Sequence, residues 1–457
     1  MMKSMISKYK EDPFKRALIS IGIPVALQHF IQTALNLIDT IMIGRVSKDA
    51  LAAVGLANQV FFLMILLVFG INSGVSVYIA QFWGKKDEKS IRKTMGVGLV
   101  GGVLVSLVFF LVSFLYPVKV LELFLKEPQV VSIGADYLRI VSISYVFTAI
   151  SLTYSVASRG VEQARLPMIV SSISIVVNTV GNWILIFGLF GMPAMGAKGA
   201  AIATLIARVV EMFMLIFFIY RTDSVLAAKI SELIHFNKKF VNQIFKTAMP
   251  VLINEGIWAL GTVMYTMALA KINSDAVAAF QVMMAVYRFF EVAFLGLGNA
   301  CQVVIGNRIG AGEEHLAMEY GKRFIKLTLI TCVVTSSMIF FSAESIASVF
   351  KVPNHVQVQA IYMMRIVALY NFPKMMNLLY IVGILRGGGD TVYAMWIESL
   401  CVWGIGVPIA FAGAMIFGWP AYIVVGAFML EEVVKSILGT YRFVSKKWIR
   451  NVVEEIA

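Results

Sequence analysis

Asp39 lies in the stretch Asn36-Leu37-Ile38-Asp39-Thr40, inside an apolar run long enough to cross a membrane. A carboxylate at that depth is costly and calls for a cation or a proton beside it. Further along, Asn178 and Asn182 are four residues apart, so a helix carries them on one face. Thr204 sits in the middle of the next apolar run. A carboxylate, two amide oxygens and a hydroxyl make an all-oxygen set of the kind a hard cation such as sodium prefers. Taken alone, the asparagines and the threonine are equally well explained as hydrogen bonds between membrane helices. A buried carboxylate is less easily explained that way.

A second group of buried charges follows in the other half of the chain. Glu255 stands five residues after Pro250 with no local cation, and Glu398 lies in an uncharged run of its own. Lys374 could pair with either. Glu255, Lys374 and Glu398 are therefore candidates for coupling or for substrate binding. Glu211 is buried too, while Arg288 with Glu291 and Glu431 with Lys435 are spaced to pair along one helix. Pro24 and Pro250 are expected to kink the helices that carry them.

Enzyme chemistry finds no support. The four histidines, His29, His235, His315 and His355, are scattered, and neither HExxH nor GxxxxGK[ST] occurs. No catalytic residue is assigned, no cofactor is expected, and ATP does not drive the protein directly. Cys301, Cys332 and Cys401 each lie in apolar sequence and read as small buried hydrophobes.

The chain has 457 residues, 59% hydrophobic and 14% charged, with a mean hydropathy of +0.83. No soluble core hides that apolar excess. The net charge of +13 does not indicate nucleic acid, because the basic residues fall in short clusters between apolar runs. Twelve spans are expected: 17–44, 51–82, 94–116, 133–158, 166–190, 198–220, 242–270, 277–307, 324–344, 357–385, 391–417 and 420–441. Alternate connections hold 25 and 7 basic residues, and the basic set faces the cytoplasm. Both termini are then cytoplasmic, in a multi-pass protein of the plasma (inner) membrane. The first sixteen residues lack the apolar core of a signal peptide.

The two halves repeat. Ile23-Pro24-Val25 matches Met249-Pro250-Val251, and Asp49-Ala50-Leu51-Ala52-Ala53 matches Asp275-Ala276-Val277-Ala278-Ala279, both at an offset of 226. Arg159-Gly160 matches Arg386-Gly387 at 227. The expected fold is all-α: twelve transmembrane helices in two six-helix bundles, 1–220 and 241–457, with a cytoplasmic linker over 221–240. Six helices per half make the repeat parallel, related by a pseudo-two-fold axis along the membrane normal, with a substrate site near the midplane. Abundant methionine and aromatic residues suit a cavity for amphipathic or cationic ligands.

These features resemble the multidrug and toxic compound extrusion (MATE) family over nearly the whole chain. The carrying motifs are LNLIDTIMIG, DALAAVGLA, VVNTVGNWILIFG, GAKGAAIAT, NEGIWALG and ILRGGGDT, in this order. The resemblance implies antiport of cationic or amphipathic compounds against sodium or protons. It also implies a cation site at Asp39, Asn178, Asn182 and Thr204. Some members carry a second acid where Asn182 stands. Others have a further site in the second half, built from an acid in the seventh helix and an Asp in the tenth. Here Glu255 lies about a turn from the former position, and the latter falls near Lys374-Met375, without the Asp. The expected partners are membrane lipid and small organic cations or amphipathic drugs, with no nucleic acid, and the chain is expected to act as a monomer. The alternative is a flippase for a lipid-linked saccharide or another lipid.

Overall fold

The computed structural model describes residues 12–350 and 352–454, and those residues form helices and short connections without a strand. Every expected span is a helix. We number them α1 (Phe14–Gly44), α2 (Lys48–Gly84), α3 (Glu88–Leu115), α4 (Pro128–Ser142 with Ser144–Gly160), α5 (Arg165–Phe187) and α6 (Ala197–Arg221). The second half contributes α7 (Lys238–Ala270), α8 (Ser274–Gly310), α9 (Glu314–Ala347), α10 (Asn354–Leu385), α11 (Thr391–Ile416) and α12 (Ala421–Phe428 with Leu430–Val444). Among the described residues, nine of these are long and apolar enough to cross a membrane as single helices. α4 is a tenth if its two pieces, bent by 47°, count as one span. α7 and α12 fall outside that test for a physical reason. α7 carries Asn254 and Glu255 within its apolar part, while α12 is interrupted at Met429 and carries Glu431, Glu432 and Lys435.

The helices start where the sequence signals it. Ser47 caps α2 by accepting from the Ala50 amide at 3.0 Å, and Asn273 caps α8 by accepting from Ala276 at 2.8 Å. These caps sit at repeat-equivalent positions, 226 residues apart. A wide π turn, Leu18–Gly22, precedes Pro24, whereas Pro250 lies within α7 without ending it.

The chain packs as two compact units, and their limits are not those of the linker. Leu27–Ala248 form one unit; among the described residues, those up to Ala26 join those from Met249 onward in the other. Sequence placed the division in 221–240, yet helices α1 and α7 are each split, just after Pro24 and just before Pro250. Small residues allow it. A Cβ on Gly22 would touch Ala300 of α8, and one on Gly74 of α2 would overlap Ala248 of α7. Gly22 matches Ala248 and Gly74 matches Ala300 at the offset of 226, so each unit takes up the head of a helix through the same small-residue contact.

The segment 222–237 is docked rather than loose. Arg92 of α3 donates to the Val225 carbonyl and to Glu232, both at 2.9 Å. Gly96 of α3 lies so close to the Leu233 carbonyl that no side chain would fit there. Within each unit a separate apolar core, one around Met64, Leu138 and Tyr145 and one around Met363, Phe294 and Val424, fixes the helices that carry the polar groups described next.

Candidate functional site

In the unit 27–248, Asp39, Asn178, Asn182 and Thr204 converge from α1, α5 and α6. Asn182 Nδ2 donates to Asp39 Oδ1 at 2.8 Å. With the Asn178 amide turned to satisfy its neighbours, its Nδ2 donates to Asp39 Oδ2 at 2.9 Å and its oxygen accepts from Thr204 Oγ1 at 3.2 Å. One asparagine thus serves each carboxylate oxygen. The α-helical spacing of α5 explains this, since a step of four residues stacks two side chains along one face. Asn182 is buried, and its Oδ1 has no hydrogen-bond partner. A buried orphan oxygen beside a carboxylate is an unmet demand for a donor or a cation.

The set fits a small cation on chemical grounds. An Asn amide presents nitrogen to a carboxylate and, turned over, oxygen to a cation. Among the described residues no three His, Cys, Asp or Glu side chains are grouped to hold a metal ion. The donors here are one carboxylate and neutral oxygens, which suits a weakly bound monovalent ion better than a divalent one.

Two neighbours escaped the sequence reading. Tyr137 of α4 is buried within reach of Asp39 and Thr204. Arg208 of α6, one turn beyond Thr204, acts electrostatically on Asp39 and pairs with Glu211 at 2.7 Å. Ser171 donates to Glu211 at 2.7 Å, and Gln28 donates to Ser171 at 3.0 Å. Glu211 is therefore compensated locally and belongs to a second polar layer beneath the Asp39 layer. Its i, i+3 spacing to Arg208 was the available signal.

The candidates of the other unit are arranged differently. Glu255 does not pair with Lys374. Arg386, at the end of α10, donates to Glu255 at 2.5 Å and to Asn254 Oδ1 at 2.9 Å. Lys374 instead stands 4.2 Å from the centroid of the Tyr287 ring, a cation–π contact. Glu398 meets Lys435 at 3.2 Å, and Lys435 also meets Glu431 and Glu432, each at 3.3 Å. The Glu431–Lys435 pair is the one the i, i+4 spacing predicts. Arg288 and Glu291, also spaced to pair, are not joined by an ion pair within 4.0 Å among the described residues.

Known proteins of the same build bear on this arrangement. The MatE family profile matches residues 24–184 and 250–412, one match in each half of the chain. The uncharacterized transporter YisQ of Bacillus subtilis is 23% identical over 434 residues, covering 95% of each chain. The probable multidrug resistance protein NorM of Thermotoga maritima is 24% identical, covering 99% of this chain and 97% of its own. Among solved structures, MATE in complex with MaL6 aligns over 95% of this chain and 97% of that one, with a TM-score of 0.84 at 20% identity. A mutant of the Vibrio cholerae MATE transporter VcmN aligns with a TM-score of 0.86 at 18% identity, over 95% and 98% of the two chains. At such identities the structures carry the fold alone: twelve helices in two bundles.

Proposed function

This chain belongs to the MatE family of multi-pass membrane transporters, and from that premise we propose a cation-coupled antiporter that exports cationic or amphipathic small molecules by alternating access. The observation that carries the proposal is the Asp39 centre. Among the described residues its carboxylate is held by the Asn178 and Asn182 amides, with no cation of the protein in hydrogen-bond contact and with the buried Asn182 oxygen unmet. A centre of that kind is neutral in two ways, as the protonated acid or as the carboxylate with sodium. The two ligands then compete, and the ion that binds biases which conformation the protein adopts.

Asn178, Asn182 and Thr204 would hold the ion without adding charge. Arg208 beneath them limits how strongly it is held, because a fixed positive charge repels a second cation. That keeps binding reversible, as exchange requires. Glu255, Lys374 and Glu398 supply charge in the other unit, and a role for them in coupling or substrate binding extends the same reading. The names of multidrug relatives such as NorM support drugs as the cargo class. The distribution of basic loops supports cytoplasmic termini in the plasma membrane. An impermeant thiol reagent outside cells should then label Lys126→Cys and spare Lys238→Cys.

Uptake of a fluorescent organic cation into everted vesicles, with sodium and pH gradients imposed separately, tests the proposal. Uptake driven by at least one gradient supports it. Equal uptake with and without both gradients refutes it.

A further inference from the structure

Lys435 is the hub of an ion cluster that the Asp39 centre does not use. Its side chain is 3% exposed, and the Glu398, Glu431 and Glu432 side chains around it are 7%, 5% and 12% exposed. With every group ionised, three carboxylates face one ammonium, a net charge of −2 at membrane depth. Buried charge on that scale is not left uncompensated, and neutralisation by a proton is the least costly remedy.

The hydrogen bonds say which carboxyl is least supported. Glu431 accepts on both oxygens, from Lys435 at 3.3 Å and from the Tyr265 hydroxyl at 2.5 Å. Glu432 accepts from the Asn377 amide at 2.7 Å and lies 3.3 Å from Lys435. Glu398 has a single contact, to the same shared ammonium, at 3.2 Å. The other groups that face this cluster do not relieve it. Glu255, itself engaged by Arg386, adds negative charge near Glu398. Cys401 lies one turn further on α11. Tyr287 faces Glu432 and Glu291 from α8, and its ring engages the Lys374 ammonium.

The repeat register places the cluster beside the counterpart of the Asp39 position. Tyr265 occupies the position of Asp39 at an offset of 226. At 227, Glu431 stands at Thr204, Lys435 at Arg208 and Glu398 at Ser171. The cluster thus shares the Thr204 position with the cation centre and takes the Arg208 and Ser171 positions from the polar layer beneath it. Its packing is specific as well. Gly406 of α11 has no room for a Cβ, which would overlap both the Tyr265 hydroxyl and the Glu431 carboxylate. Tyr265 is in turn fixed by stacking on Phe428, with ring centroids 4.2 Å apart and planes at 2°.

We propose that the Glu398, Glu431, Glu432 and Lys435 cluster is a proton-binding site, separate from Asp39, and that Glu398 is the carboxyl that takes the proton. Uptake adds one proton from water to the Glu398 carboxylate, giving the neutral acid and lowering the cluster charge from −2 to −1. Release forces Lys435 to be shared among three carboxylates, so the contacts between α11 and α12 depend on occupancy. Only the use of this proton in transport rests on the antiporter reading; its presence does not.

Infrared difference spectroscopy of the purified full-length protein at neutral pH tests this directly. The Asp39→Asn background removes the Asp39 carboxyl; Glu211, the other buried acid described in that unit, stays paired with Arg208. A protonated-carboxyl C=O band should remain in that variant and shift on exchange into deuterated water. It should be lost when Glu398→Gln is added and retained when Glu255→Gln is added instead. Glutamine keeps the shape and neutrality of the acid, so the double variant should fold. The first arm needs no change in the cluster at all. Absence of the band in Asp39→Asn would overturn the site, and its survival in Asp39→Asn with Glu398→Gln would overturn the assignment. Failure of gradient-driven uptake in vesicles would refute the antiporter and leave this result standing.

Discussion

The two halves of this transporter put opposite chemistry on the same scaffold positions. In the N-terminal unit Asp39 is a lone carboxylate satisfied by neutral amides. At the matching place in the other unit stands Tyr265, hydrogen-bonded to Glu431 within a cluster organised by Lys435. The contrast extends toward the helix heads. His29 lies within electrostatic reach of Arg159, whereas the equivalent Glu255 is locked to Arg386 at 2.5 Å. The first unit holds Asp39 on amides, while its Arg208 is paired with Glu211. The second brings its own cations, Lys435 and Arg386, into direct contact with its acids. A duplicated bundle can therefore hold one centre open, its acid on neutral amides, and one closed around internal charges. Counting acids would not reveal that difference; where the fixed cations sit does.

The largest effect should come from opening the closed centre. Arg386→Met leaves the partly buried Glu255 without its partner, a change that costs about 3–5 kcal/mol where such a pair is fully buried. Thermal unfolding in detergent should show a clear loss. Adding Glu255→Gln should restore most of it, because the pair is then removed together. If the double variant is as unstable as Arg386→Met alone, Arg386 serves packing and the comparison of closed with open centres fails.

A smaller effect is expected at the open centre. Asn178→Ala removes one of two amides on Asp39 without creating a buried charge. Cation affinity, read as the concentration needed for half-maximal uptake, should weaken by about tenfold, equivalent to roughly 1.4 kcal/mol. Coupled transport should persist at high cation concentration. An unchanged half-maximal concentration would remove Asn178 from the site.

The smallest effect lies outside both centres and serves as a control. The Glu232 carboxyl is held below its ordinary value of 4.5, first by the Lys229 backbone N–H and then by Arg92. A carboxyl lowered on folding stabilises docking at pH values above its ordinary range, and that stabilisation is lost as pH falls through the lowered value. Hydrogen exchange across 222–237 should therefore be slow and flat from neutral pH down to the ordinary glutamate range, once intrinsic exchange is corrected. It should rise only at more acidic pH. Arg92→Ala should raise it at every pH, and protection unchanged by Arg92→Ala would assign docking to the Gly96 contact alone.

Much of the fold was legible in the sequence because membrane helices announce themselves locally. A run of apolar residues, a cap such as Ser47 and a basic loop are each read from adjacent positions. The Asp39 centre was legible for a related reason: polar groups at membrane depth are rare enough that those present tend to meet. The partner of Glu255 was missed because it lies 131 residues away. Charge alternation had counted Arg386 among the loop bases, yet it is buried at the end of α10. Pairing between helices leaves no trace in i, i+4 spacing. The repeat register did hold the clue, since it aligns His29 with Glu255 and Arg159 with Arg386. Tyr137 could not be found that way, as a tyrosine in an apolar helix looks like any other core residue. The division of α1 and α7 between units was hidden as well, because it depends on which glycine meets which alanine.

The central claim is that the open carboxylate is what links an ion gradient to export, and one substitution addresses it. Asp39→Asn imitates the protonated acid permanently and removes a buried charge, so the protein should fold and reach the membrane. Efflux of an organic cation should be followed in vesicles with matched expression, under an imposed sodium or pH gradient and again with no gradient. The account predicts passive exchange near the wild-type level and loss of gradient-driven accumulation in Asp39→Asn. Full gradient-driven accumulation by that variant would contradict it and move coupling to the Lys435 cluster of the other unit.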